Sequence, residues 1–381
     1  MWLFKQEVLI SNRDRLISRL RIVYVSPFYH PVKGGVENVV KRVSEYMISK
    51  GEEVYVITYN RDRLSTNVYA EREEINGVKI LRLPVKFTWS HGSYSTELRK
   101  KVNELNPNIL HIHVWRHPHV FQLYNEKYPK VLQPHSPFYT FHQSGFITYM
   151  YYTLVDALLG FTIRSYKVIA MTPYEQKILK EKFNVDSTLI PNGIDDKYFE
   201  VKGEIGDYIL YLGRISREKN ILTLLKAYRL SGLKIKLVLA GPDNGLAKDV
   251  IQYSKRNGLN VEYKGEVSED EKLELLKKCR FLVNPSPYEG FGLTLVEAEA
   301  LGKPTVIVGE GGQLFAAPPE KASLRANNNP ESLAKALVTL TTDESLYSRL
   351  SKGAKQWAEN FKWNKILPKY TEFYRKILGK N

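Results

Sequence analysis

Two successive series of short β-branched runs, separated by segments of helical period, constrain this chain more than any other feature. RIVYVS (Arg21–Ser26), VYVITY (Val54–Tyr59), VKILRL (Val78–Leu83), ILHIH (Ile109–His113), KVLQP (Lys130–Pro134) and KVIAMT (Lys167–Thr172) form the first. YILYLGR, KIKLVLAG, NVEYKGE, FLVNPS and TVIVGE form the second, which starts at Tyr208. Continuous apolar runs suit strands buried on both faces, so each series predicts a parallel sheet covered by helices. With 381 residues, 43% of them hydrophobic, the chain can bury two such cores.

The boundary between the series falls in IPNGIDDKYF, where Pro191, Asn192 and Gly193 interrupt the apolar period. The predicted organisation is an N-terminal extension (1–20), a first Rossmann-like domain (21–191), a second (192–355) and a closing segment (356–381) whose Trp357, Phe361 and Trp363 are too crowded for a solvated tail. The fold class is α/β, two doubly wound units facing a central cleft. Ligands of open α/β sheets bind at the carboxyl ends of the strands, so the chemistry should follow the strands.

Lys and Arg exceed Asp and Glu by 15, which favours anionic partners. One cysteine, Cys279, excludes an internal disulfide, points to a reducing compartment and reads as a helix-end or core thiol. The first twenty residues alternate apolar and basic side chains without the apolar core or cleavage site of a signal peptide, so a cytoplasmic location is expected, with contact at the inner membrane face still open. ITYMYYTLVDALLGFTI (Ile147–Ile163) is shorter than the roughly 20 residues of a membrane span and is read as a buried helix. The aromatic stretch Phe138–Tyr152 has two readings, a wall for a lipid-linked or aryl-sugar acceptor and packing against the first sheet, and packing is preferred because aromatic runs at helical spacing usually fill interiors. Together with the net charge, it also admits peripheral contact with an anionic membrane.

Gly34-Gly35 follows the first strand and precedes a helical pattern near Val36, so it can bring backbone amides to an anion at positive φ. LHIHVWRHPH and LQPHSPFYTFH bring histidines to strand ends. They lack carboxylates or cysteines at ligand spacing, and the chain has no Asp-x-Asp, so no metal is expected. His135 is read as a donor to a polar ligand, His111 or His113 as packing. In LGRISREKN, Arg214 and Lys219 on the loop leaving a strand suit a diphosphate, whereas Arg217 reads as solvated.

PYEGFGLTLVEAEALGKP sets a helix start near Gly292, leaving the amides of Phe291, Gly292 and Leu293 free for a phosphate. At about 100° per residue, Glu297 and Glu299 differ by about 200° and cannot both face the cleft, and Glu297 is assigned inward. Carboxylates beside an anion are accounted for if they bind hydroxyls, which a nucleotide-sugar supplies on both sides of its diphosphate. Glu297 then takes the ribose and Glu289 the transferred sugar.

Gly34-Gly35, PNGID, LGRISREKN and E-G-F-G-L-x-x-x-E, in that order, resemble the retaining glycosyltransferases of family 4, which have the GT-B fold. The similarity runs from Arg21 to the C-terminus. It implies that Arg214 and Lys219 stabilise the leaving diphosphate, that His135 lies beside the donor sugar, that Gly265, Glu266 and Val267 lie near the base, and that the last helix crosses back to the first domain. The first twenty residues and GEGGQLFAAPP depart from the family pattern, which touches the sugar contacts near Gly311 and Gly312. Expected partners are a UDP- or GDP-linked donor and a glycan, lipid-linked or small-molecule acceptor; no cofactor and no nucleic acid are expected. A nucleotide-sugar epimerase and a basic nucleic-acid-binding protein are the competing readings, the latter opposed by Gly- and Glu-containing cleft motifs.

Overall fold

The computed structural model describes residues 19–62, 65–89, 92–135, 138 and 145–379. The expected extension 1–20 therefore lies outside the described residues but for its last two positions.

In the first sheet the strands lie in the order Ser187–Leu189, Lys167–Ala170, Lys130–Gln133, Ile109–His113, Arg21–Val25, Glu53–Tyr59, Val78–Leu83, Arg72–Ile75. All are parallel except the last, which pairs antiparallel with Val78–Leu83. In the second the order is Val261–Tyr263, Lys236–Ala240, Tyr208–Leu212, Phe281–Asn284, Thr305–Ile307, Ser323–Arg325, all parallel. Among the parallel strands, chain progression across each sheet reverses once, between Arg21–Val25 and Ile109–His113 in one and between Tyr208–Leu212 and Phe281–Asn284 in the other. Crevices open at such reversals, because the loops on either side leave toward opposite faces.

Two connections join the halves and run side by side: Ile194 N–H donates to Phe361 O at 2.9 Å, and Ile194 bridges Lys362. Beyond them the helix Trp363–Ile377 packs on the first sheet. Its Trp363, Ile366, Tyr370 and Tyr374 join Ile22, Tyr24, Val39 and Val40 in one core. Tyr374 OH meets His111 Nδ1 at 2.6 Å, and Tyr370 OH donates to Gln133 at 3.2 Å. Trp357, grouped with Trp363 in the sequence reading, instead stays with the second unit, where its indole donates to Phe315 O and its ring lies edge-on to Phe361. Cys279 is buried at the end of Glu269–Lys278 and its thiol donates to Leu276 O.

The helix Phe146–Leu159 overturns one expectation. Together with the 3-10 turn Gly160–Ser165 it forms a 20-residue stretch long and apolar enough, by length and composition, to cross a membrane, yet only 28% of its apolar window is buried. Its inner face is held by Asp156, which accepts from Trp115 Nε1 at 2.9 Å and from Arg116 at 2.8 Å. Core packing thus applies to the Val155 side and to Phe138, while much of the apolar surface faces outward; 139–144 of the aromatic stretch lie outside the described residues.

Glu299 is wholly enclosed, neither carboxylate oxygen has a hydrogen-bond partner, and burial raises its pKa well above the ordinary value. An acid held neutral by the fold contributes its stability fully below the unfolded carboxyl's range. That contribution is lost as pH rises toward the folded value, at about 1.4 kcal/mol per pH unit. Glu299→Met is expected to raise the melting temperature by several degrees at about pH 8, and by little at about pH 5. A gain that does not vary with pH would show that Glu299 does not titrate across this range.

Candidate active site

The cleft is built from the two crevices. Strand Tyr208–Leu212 ends in Gly213-Arg214, and the 3-10 turn Arg217–Lys219 follows. Tyr211 OH donates to Arg214 O at 2.9 Å, and Asn220 Nδ2 to Pro285 O at 3.1 Å, tying this loop to the neighbouring strand end. There the chain runs Asn284 to Glu289, and Tyr288–Glu289 pairs with Glu310–Gly311. Gly312 backs this loop: its N–H donates to Glu289 O at 2.7 Å, and a Cβ on it would strike Gly290 O at 2.1 Å. Gly311 and Gly312, uncertain from sequence, thus buttress the Glu289–Phe291 segment.

The helix Leu293–Ala300 starts at Gly292, whose φ of 100° L-residues rarely adopt. The helix start read from the sequence therefore lies within one residue. Phe291 points its ring into the core against Phe361, leaving only its backbone near the cleft. Across the cleft, the helix Gly35–Ser49 begins at Gly35. The positive φ expected of Gly34-Gly35 is not found, because Gly34 is extended (φ 172°) and Gly35 is helical. Gly35 instead faces Leu293, and a Cβ there would lie 3.4 Å from Leu293 Cδ1.

Two chambers, of about 380 and 520 Å³, adjoin at Gly35 and Leu293, which line both. The first is walled by His135, Arg214, Lys219, Glu289, Phe291 and Gly292. The second is walled by Gly34, Glu266, Val267, Glu269, Lys272 and Glu297. Gly265 shapes the turn behind it at positive φ, its carbonyl accepting from Gly241 N–H at 2.7 Å. Each residue assigned to donor binding from the sequence is thus placed on the cleft or directly behind it.

Within the first chamber Lys219 Nζ meets Glu289 Oε1 at 2.6 Å, and Asn284 Nδ2 lies 3.3 Å from the same oxygen. Arg214 is exposed to the cleft, and Arg217 is solvent-exposed as read. His135, at φ 46°, has Nε2 3.0 Å from His113 Nδ1 and Nδ1 3.1 Å from Met171 Sδ. Burial lowers its pKa to about 3, so the ring is neutral. Both nitrogens are engaged, so donation to a ligand requires the ring to release one partner. His111 and His113 are fully buried and stacked on each other at 4.2 Å. Among the described residues no group of three or more His, Cys, Asp or Glu stands together as a metal site.

In the second chamber Lys272 Nζ bridges Glu297 at 3.0 Å and Glu269 at 3.1 Å. Burial raises the pKa of Glu297, and the adjacent Lys272 partly offsets that rise. Lys272 was not singled out in the sequence, because EDEKLELLKK reads as a solvated charged helix. Asn192 and Asn284 were also missed as cleft residues; Asn192 Oδ1 is buried without a partner, and the signal for Asn284 was its place at the end of FLVN.

Two Rossmann-like units with a cleft between their carboxyl-end crevices define the GT-B architecture. Family profiles for glycosyl transferases group 1 match residues 196–357, and those for glycosyltransferase family 4 match residues 33–198. The chain belongs to the family 4 glycosyltransferases and is a hexosyltransferase. An uncharacterized glycosyltransferase of Methanocaldococcus jannaschii is 28% identical over 57% of this chain and 61% of its own length. A second from the same organism is 27% identical over 93% and 98%. Sucrose-phosphate synthase from Thermosynechococcus elongatus superposes with a TM-score of 0.77 at 20% identity, covering 95% of this chain and all of that one. Anabaena HepE, solved in complex with UDP-glucose, gives 0.72 at 16% identity, over 94% of this chain and 100% of its own.

Proposed function

We propose that the chain moves a hexosyl group from a UDP- or GDP-linked sugar to an acceptor hydroxyl on a glycan, a lipid-linked sugar or a small molecule, with retained anomeric configuration. The observation that carries this reading is the division of groups between the two chambers. Glu289, Arg214, Lys219 and the helix start at Gly292 wall one, which suits a hexose and a diphosphate, and Glu297 lies in the other, which suits a ribose. HepE, similar in fold, was solved with a ligand of this class.

As the bond from the anomeric carbon to the β-phosphate oxygen breaks, charge grows on that oxygen. Two cationic side chains and a helix N-terminus meet it there, so the reading requires no metal ion. The acceptor oxygen attacks from the face the phosphate leaves, and its proton passes to the departing phosphate oxygen, which balances the step and keeps the configuration. The sugar face opposite presents no carboxylate in the sequence reading, which favours this route over a covalent intermediate.

The test is a thermal-stability screen of nucleoside diphosphate hexoses. A cognate donor at a hundred times its dissociation constant should stabilise the fold by about 2.7 kcal/mol, while the matching nucleoside alone should do much less. Proton NMR of the product's anomeric linkage then reads retention directly. No stabilisation by any such donor, or an inverted product, would overturn the proposal.

A further inference from the structure

We propose that the outward face of the helix Phe146–Leu159 docks on an anionic lipid bilayer, lying along its surface. Eleven large apolar side chains are exposed among the described residues, and six of them fall between 146 and 161. Ile147 (84% exposed), Met150 (49%), Leu154 (57%), Leu158 (62%) and, on the following turn, Phe161 (57%) recur at three- and four-residue spacing. At about 100° per residue, the exposed helical positions from 146 to 158 fall within an arc of about 140°. That arc carries no charge: the only acidic residue between 145 and 167 is Asp156, which points inward to Trp115 and Arg116.

Charge complementarity selects the occupant. Exposed Arg164 and Lys167 follow the stripe, and the whole chain carries a net charge of +15. A second copy would bring the same +15 to the contact, whereas an anionic headgroup layer above an apolar interior matches both the cations and the stripe. Length and composition alone would allow a span, but the fold does not. The helix joins Lys130–Gln133 to Lys167–Ala170, parallel neighbours in one sheet, and Asp156 pins its inner side to the domain. Lying on the surface is what remains.

The same helix follows a cleft residue in sequence. His135 lines the cleft, and Phe138 N–H donates to Tyr288 OH in the opposite domain at 3.3 Å, shortly before the helix begins at Phe146. On the transferase reading, a docked helix sets the cleft mouth near the bilayer surface, where a lipid-linked acceptor hydroxyl would lie.

Flotation of the full chain with phosphatidylcholine vesicles, with and without phosphatidylglycerol, tests the docking independently of donor or acceptor. Flotation with the anionic vesicles is expected. Leu154→Ser/Leu158→Ser should lower the partitioning at least about tenfold without lowering the melting temperature, whereas Leu230→Ser, at an exposed apolar position elsewhere, should leave it unchanged. Should the double variant fold poorly, hydrogen exchange across 146–165 in the unmodified chain, slowed only by anionic vesicles, gives the same answer. Absence of flotation, equal flotation of the double variant, loss of flotation only when residues 1–18 are deleted, or a dimer dispersed by the double variant would each overturn the proposal.

Discussion

Alanine in place of Lys219 is expected to lower turnover about 10²–10³-fold while the Michaelis constant for the donor changes by no more than a few-fold. The unequal effect follows from where the ammonium stands. Lys219 is paired with Glu289 at 2.6 Å, so its charge is already partly neutralised. A ground-state diphosphate therefore gains little from it. The leaving phosphate gains much more, because its charge rises as Glu289 engages the sugar and releases the ammonium. Arginine at 219 should restore part of the rate, since the charge returns while the geometry differs. Arg217→Ala, three-dimensionally close but solvated, serves as the control and should change neither constant. An unaltered turnover number, or a loss confined to the Michaelis constant, would remove Lys219 from leaving-group stabilisation.

Glu297→Ala is expected to act on the other constant. A buried carboxylate accepting hydrogen bonds from ribose hydroxyls contributes about 1.5–3 kcal/mol, so the donor's Michaelis constant should rise about 10- to 100-fold with turnover nearly kept. The accompanying signature is loss of discrimination: the unmodified enzyme should prefer a ribose donor to its 2′-deoxy analogue, and the variant should not. Protonation should mimic the substitution. Burial holds the pKa of Glu297 above the ordinary carboxylate value, so the ionised acceptor is lost as pH falls through that raised value, at a higher pH than for a free glutamate. Lys272 limits the rise by standing 3.0 Å away. If the variant treats both donors as the unmodified enzyme does, Glu297 does not hold the ribose.

The strands of both sheet interiors were legible to within three residues, because strands covered on both faces must be apolar throughout. Arg72–Ile75, Ser187–Leu189 and Ser323–Arg325 were not legible. They are short edge strands with exposed or charged positions, and only a neighbour's backbone makes them strands. Glu297 was legible from helical geometry, since the angle separating it from Glu299 follows from the sequence alone. Lys272 was not, because its partner lies 25 positions away and nothing local marks a solvated lysine from a paired one. The helix Phe146–Leu159 was recognised as helical but turned the wrong way. Periodicity finds an apolar face; whether another element covers it depends on how the surrounding loops return.

The helix Trp363–Ile377 has a consequence for biogenesis. The first half of the chain leaves the ribosome with the floor around Tyr24 and His111 still uncovered, and the segment that seals it is made only after the whole of the second sheet. The amino-terminal half is therefore expected to keep this apolar floor open until that segment emerges, rather than to close as an early independent unit. Premature termination between residues 190 and 362 should yield insoluble product, even though every residue of the first sheet has already been made.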